Sequence, residues 1–303
     1  MKISVVIATY NRAHLLPGTL GALAAQEVHP SLDWEIVVVD NNSSDSTARA
    51  VATFVPTTTV PVRYVFEPRQ GISHARNRGI REAQGSILAF TDDDVLPAPE
   101  WVSRVAAAME RWNADGVGGR ILPRWESERP RWLTENRRPS RRLAIMESQE
   151  GGYLALPFKH LPQVWGANMA FRRDLFDRVG EFDPRRGVVG NLLLRGEEIH
   201  LIERALDLGL KIAYEPSLTV FHRIGPDRMR KAYFRRLEFE SARGEARLSS
   251  AGPGPSFLGA PLWRYRDAVA DLVKWAGLAL IGRRNFDREL QWWASLGSLS
   301  GHW

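Results

Sequence analysis

The first 120 residues alternate short apolar runs with stretches of helical spacing. Ile3–Ala8 is rich in β-branched residues and almost wholly apolar, as a strand buried on both faces should be. Glu35–Val39 repeats that pattern and ends at Asp40, and Val62–Phe66 and Ser86–Phe90 supply two more strands. Between them, His14–Ala25 places Leu15, Leu16, Leu20 and Leu23 on a helical period. Gly71–Gln84 and Pro97–Trp112 read as further helices, and Asn41-Asn42-Ser43-Ser44-Asp45-Ser46 as a turn and helix-cap cluster. This alternation with short links predicts an α/β fold, a doubly wound and mostly parallel sheet flanked by helices. Such sheets bind ligands beyond the carboxyl ends of their strands. Three polar clusters fall at those ends: Thr9-Tyr10-Asn11-Arg12, Asp40-Asn41-Asn42 and Thr91-Asp92-Asp93-Asp94.

From Pro123 to Pro162 the pattern breaks into proline, arginine and tryptophan, which predicts a long loop, either a functional lid on the acceptor side or a disordered segment. Order returns at Trp165–Phe171. Helices are expected over Arg173–Val179 and Glu197–Leu208, and a short strand pair over Lys211–Tyr214 and Thr219–Phe221. Beyond Pro226 the spacing is helical over Asp227–Leu248, Leu262–Ile281 and Asp287–Leu296, with a Gly/Pro/Ser break at Ser249–Pro261. The expected division is an α/β domain over 1–225 and a helical C-terminal appendage over 226–303.

Composition narrows the chemistry. At 44% hydrophobic and 25% charged residues the chain is an ordinary globular one. It has no cysteine, which excludes disulfides, thiolate metal sites and a cysteine nucleophile. The Ile3–Ala8 run is too short for a signal peptide, and Trp275–Ile281 is too short to span a bilayer. A soluble protein of a reducing cytosol is expected. Net charge is +6, and it is unevenly placed. Residues 1–110 hold 9 Lys/Arg against 12 Asp/Glu, whereas residues 223–303 hold 14 against 8. The basic excess fits either solvated surface or a face for anionic lipid headgroups or a phosphorylated acceptor. Nucleic acid is not an expected partner, because helix-turn-helix, zinc-finger and RNA-binding aromatic patterns are all missing.

Four segments carry candidate chemistry. Asp92-Asp93-Asp94 follows a buried strand, and adjacent carboxylates repel unless a cation compensates them. Magnesium or manganese would take one or two of them and complete its shell with phosphate oxygens and water. An acidic turn is the alternative. Asp40, at a strand tip, suits either a nucleobase N–H or an Asx-type turn with Ser43 and Ser46. Arg76, near the start of a helix, suits an anion. Glu197-Glu198 opens another helix. Glu198 shares a face with Leu201 and Ile202 and should point inward, while Glu197 should be more lateral. An enclosed carboxylate there suits a general base. His222, after a strand, becomes of interest only beside a cation.

These segments, with Ala75-Arg76-Asn77-Arg78-Gly79 and Gly166-Ala167-Asn168-Met169-Ala170-Phe171, together resemble the family 2 glycosyltransferases of GT-A fold. They come in the family's order and span about residues 3–222. The resemblance implies an inverting, metal-dependent, hexosyl-type transferase. It would move sugar from a nucleotide-diphosphate donor, UDP- or dTDP-type favoured, to an acceptor hydroxyl in polysaccharide or glycolipid assembly. Thr9, Tyr10, Asn11 and Arg12 would line the nucleotide pocket and Asp40 would meet the base. Arg76, Asp92, Asp93, Gly166 and Asn168 would contact the ribose, diphosphate or donor sugar. Asp94, with Asp92 and His222, would hold manganese or magnesium. The family's usual Glu-Asp pair is here Glu197-Glu198, so the base is Glu198 or Glu197. The acceptor would be a saccharide or lipid-linked sugar. Beyond residue 225 the resemblance fades, and the mixed aromatic and basic pattern of 226–303 suits helices that either pack on the catalytic domain or lie on an anionic membrane surface.

Two other classes compete. A nucleotidyltransferase on a related fold would usually carry a glycine-rich, lysine-containing loop near the N-terminus, and Thr9–Arg12 has neither residue. A non-catalytic nucleotide-sugar-binding module would be expected to lose the base, yet Glu197-Glu198 is present.

Overall fold

The structure, a computed structural model, describes residues 2–135, 139, 142–157, 164–189, 192–248, 255–283 and 285–302. Parts of the expected 123–162 loop and of the break after Leu248 lie outside the described residues. The chain divides into two units. The first comprises Met1–Arg124, Ala144–Pro184 and Gly196–Arg223; the second comprises Trp125–Leu143, Arg185–Arg195 and Ile224–Trp303.

In the first unit the strands are β1 Lys2–Thr9, β2 Asp33–Asp40, β3 Val62–Phe66, β4 Ile87–Asp92, β5 Val95–Pro97, β6 Gly116–Trp125, β7 Gly152–Tyr153, β8 Met169–Arg172 and β9 Ile212–Ile224. The described residues form one nine-stranded sheet in the order β3-β2-β1-β4-β8-β6-β9-β5, with β7 alongside β9. The β3-β2-β1-β4 half is parallel, and β8 then runs antiparallel to both β4 and β6. Helices α1 Leu16–Ala24, α2 Thr47–Phe54, α3 Ile72–Glu82 and α4 Trp101–Arg111 link or flank these strands.

The all-apolar strands have a direct cause. Ile3, Val5 and Ile7 of β1 enter one core with Ile36, Val38, Leu20 and Trp101. Val6 points the other way, into a second core with Val37, Val39, Leu88 and Phe171. The middle positions of the central strands are therefore almost all apolar, because helices cover both faces; buried Ser4 is an exception and donates to Glu35 at 2.7 Å. Gly79 shows how close that cover is: a β-carbon there would overlap the Val6 side chain.

Three expectations change. The pair Lys211–Tyr214 and Thr219–Phe221 is one continuous strand, β9, which runs through Pro216. The patternless stretch after Pro123 is partly ordered: β6 extends to Trp125, helix α5 spans Arg131–Glu135, and β7 pairs with Ala213 and Tyr214. β5, next to the aspartate triplet, was not expected.

Two further helices belong to the first unit: α6 Arg173–Val179 and α7 Glu197–Asp207. In the second unit α8 Lys231–Leu248, α9 Leu262–Leu280 and α10 Phe286–Ser300 pack with α5, and a small hairpin joins β10 Ser256–Phe257 to β11 Ala260–Pro261. Trp132, Phe234 and Phe286 form an edge-to-face aromatic cluster with centroids 5.0–6.5 Å apart. Glu238, fully buried on α8, takes both guanidinium arms of Arg142 at 2.8 Å. Trp275 of α9 stacks on Trp292 of α10 at 5.2 Å.

Candidate active site

Parallel register brings the expected clusters together. Thr9 lies opposite Asp40, and Ala8 opposite Asp92, so three neighbouring strand ends deliver their polar residues to one edge. The triplet's backbone is fixed there from two sides. The Thr19 hydroxyl donates to the Asp93 carbonyl at 2.8 Å, and the Arg223 amide donates to the Asp94 carbonyl at 2.9 Å.

The three carboxylates have separate surroundings. Asp93 is buried and accepts from the Thr9 hydroxyl at 2.7 Å and from Arg12 Nη1 at 3.1 Å. Burial pushes its carboxyl up to about 6; Arg12 opposes the rise, the Asp94 charge adds to it, and Thr9 opposes it. Asp94, also buried, accepts from the same Arg12 nitrogen at 2.6 Å. Its other oxygen lies 3.6 Å from His222 Nε2, on β9 opposite Val95. Asp92 is turned towards Arg76, at 3.4 Å.

Two of the expected groups already have partners within the chain. Among the described residues no group of three or more His, Asp or Glu side chains gathers as a metal cage. Of the expected trio, Asp92 faces Arg76 at 3.4 Å, and Asp94 and His222 are the remaining pair, 3.6 Å apart. Arg12, expected to line the nucleotide pocket, is the counter-cation of Asp93 and Asp94, and Asp93 above all keeps its guanidinium protonated. The remaining pair still suits a hard divalent cation. One carboxylate and one imidazole, in an acidic pocket where a neighbouring carboxyl is already pushed up, fit an ion that completes its shell with phosphate and water.

Arg76, on α3, ties the triplet to the glutamate pair. It is buried, with Nη1 2.7 Å from Glu197 Oε1 and its guanidinium 5.6 Å from the Phe182 ring centre. Gly166 makes room for it, since a β-carbon there would overlap Arg76 Nη2. Gly196, at φ 98°, turns the chain into α7. Both glutamates of the first turn are buried. Glu197 is thus not lateral as expected: it is enclosed and salt-bridged to Arg76.

Other expected residues also have partners within the chain. Asp40 accepts from the Ser43 amide at 2.9 Å and from the Tyr64 hydroxyl at 2.7 Å, which is the Asx-type turn reading. Asn11, at φ 52°, accepts from the amides of Ser44 and Asp45 and locks the β1 loop to the β2 loop. Asn168 is fully buried, accepts from the Trp101 indole at 2.9 Å and donates to the carbonyls of Arg120 and Leu218 at 2.9 Å each. Tyr10 is half-buried beside them.

One element of the edge was missed. Asn41 holds the loop after β3, donating to the Arg69 carbonyl at 2.6 Å and accepting from the Gly71 amide at 2.8 Å. In that loop Arg69 grips buried Glu67 at 2.8 Å. The signal was present in Glu67-Pro68-Arg69-Gln70-Gly71, a polar cluster after the third parallel strand, where the same strand-end rule applies.

Residues 4–180 match the glycosyl transferase family 2 profile, more than half of the chain. The chain belongs to glycosyl transferase family 2. Among its relatives is the glucosyl-dolichyl phosphate glucuronosyltransferase of Haloferax volcanii, 27% identical over 232 residues, which cover 74% of this chain and 70% of that protein. The mannosyltransferase PcManGT of Pyrobaculum calidifontis, solved with GDP-Man and Mn2+, superposes with a TM-score of 0.60 at 22% identity over 98% of this chain and 85% of that one. S. aureus TarS 1-349, solved with UDP-GlcNAc, gives a TM-score of 0.56 at 16% identity over 99% of this chain and 80% of that one. Against a longer TarS chain the coverage falls to 39% of that chain. The mixed, mostly parallel sheet with its flanking helices is the GT-A fold, and the protein is a glycosyltransferase.

Proposed function

We propose that this transferase moves a sugar from a nucleotide-diphosphate donor to an acceptor hydroxyl with inversion, and that Glu198 is its general base. The observation that carries this reading is the Arg76–Glu197 ion pair at 2.7 Å. It commits Glu197 to holding α7 against α3. Glu198, enclosed on the same helical turn, is the carboxylate to which this reading gives the proton transfer. Because the donor sugar is attacked directly, one base suffices: it takes the acceptor hydroxyl proton as oxygen bonds to the anomeric carbon and the diphosphate leaves.

The remaining residues orient and neutralise. Asp94 and His222 would hold manganese or magnesium, which supplies charge neutralisation on the leaving diphosphate when bound. Arg12, half-exposed beside the triplet, is placed to exchange its carboxylate partners for a phosphate oxygen. Thr9 and Arg76 fix Asp93 and Asp92, which face the ribose and sugar. Tyr10 borders the base with Asp40. UDP- and dTDP-type donors remain the favoured class; complexes of fold relatives with UDP-GlcNAc and with GDP-Man support a nucleotide-sugar donor. A lipid-linked saccharide is the favoured acceptor, supported by the dolichyl-phosphate relative. A cytoplasmic enzyme in polysaccharide or glycolipid assembly, touching the membrane peripherally through 226–303, completes the reading.

Titration calorimetry with a donor panel tests the metal role. Asp94→Ala should lose Mn2+-dependent donor binding while keeping its fold by circular dichroism. Donor binding that is the same in excess chelator overturns it.

A further inference from the structure

Helix α9 has two unlike faces. One is spoken for: Trp275 stacks on Trp292, and Asp271 accepts from the Ser295 hydroxyl at 2.7 Å. The other is apolar and open. Leu262, Val269, Val273 and Leu280 are 46%, 61%, 64% and 88% exposed. Their spacings of seven, four and seven residues put them on one line along the helix, about 27 Å long at 1.5 Å per residue. A solvated helix has no reason to carry aliphatic side chains at each of these positions.

The hairpin before α9 extends the same chemistry. Its turn is Leu258-Gly259, with φ of 46° and 79°. The left-handed region favours Gly, Asn or Asp, and a leucine there is strained. Yet Leu258 is 66% exposed and Phe257 57%. Tyr265 pins this tip to α9 by donating to the Phe257 carbonyl at 2.8 Å. An exposed, strained, bulky apolar residue at a hairpin tip stabilises nothing within the chain.

We propose that α9 and the 257–258 tip form a membrane-docking surface, lying in the interface of an anionic bilayer with Leu262, Val269, Val273, Leu280 and Leu258 among the acyl chains. Charge selects this occupant. Arg266, Lys274 and Arg283 are exposed along or just after the helix, and its acids are Asp267, beside Arg266 at 3.0 Å, and Asp271, turned to α10. Cations flanking an apolar stripe suit anionic headgroups. A second copy of the chain is the poorer fit, because a two-fold contact along the stripe would bring like cations together. The helix lies on the bilayer and does not cross it: among the described residues no helix is long and apolar enough to span. This inference rests on the reading of an enzyme with a lipid-linked acceptor, and it fixes where that enzyme would meet the lipid.

Flotation of the full chain with phosphatidylcholine vesicles, with and without phosphatidylglycerol, tests it. The wild type should float with the anionic vesicles, less so at high salt. The double variant Val269→Glu/Val273→Glu should bind at least about tenfold more weakly, from the lost burial of two aliphatic side chains. Leu258→Asn, which suits the turn better, should also bind more weakly without loss of thermal stability. Nucleoside diphosphate release from a donor sugar in solution should be unchanged in all variants, so failure here is separable from failure of the catalytic reading. Equal vesicle binding by wild type and double variant overturns the proposal. So does a wild-type dimer that ignores vesicles and that the double variant converts to monomer.

Discussion

Arg76 and Glu197 are a buried ion pair, and removing one partner leaves an uncompensated charge. Glu197→Gln should therefore lower stability by about 3 kcal/mol and weaken donor binding together, read by urea unfolding and calorimetry. Glu198→Gln should do neither, yet should cost about 10²-fold or more in turnover. If Glu197→Gln alone loses turnover at unchanged stability, the two roles are reversed. Asp93 gives a pH prediction with a definite sign. Its carboxyl is raised from the ordinary range to about 6 by burial, so the folded state holds a proton that the unfolded chain releases earlier. That contribution to stability is full below about pH 4 and is lost as pH rises towards 6. Relative to Asp93→Asn, the metal-free wild type should thus lose about 1–3 kcal/mol over that window and then level off. A stability difference that does not change with pH contradicts the shift.

At the scale of elements, α3 and α7 are joined across Gly166. Gly166→Ala should displace Arg76 and lower turnover about tenfold or more, by misplacing both the triplet and the glutamate helix. Circular dichroism should remain native; unchanged kinetics would show that Arg76 relaxes without consequence. The parallel half of this fold was legible because Ile3–Thr9, Ile36–Val39 and Ile87–Phe90 are buried on both faces, and their strand ends mark the ligand edge by topology alone. The antiparallel half was legible only in part. β9 read as two short strands because Pro216 interrupts it, and β6, which carries Gly118-Gly119-Arg120 and Pro123, shows no strand's period, so sheet pairing rather than local preference sets it. At the site, residue types were readable and partners were not. Glu197 looked lateral on a helical wheel, and only the fold places Arg76 opposite it. Arg12 looked like a nucleotide ligand, and only the fold shows it neutralising Asp93 and Asp94.

For the whole molecule, the family is established and the reaction's particulars are the proposal. They reduce to one requirement: a cation-assisted leaving group at Asp94 and a base on a different helix. The most direct test is release of nucleoside diphosphate from a panel of UDP-, dTDP- and GDP-sugars in Mn2+, without acceptor, by the wild type, Asp94→Ala and Glu198→Gln. The wild type should release nucleoside diphosphate from at least one donor, and chelator or Asp94→Ala should abolish that release and Glu198→Gln strongly reduce it. Release that persists in excess chelator, or donors that bind and are never turned over, would contradict this requirement.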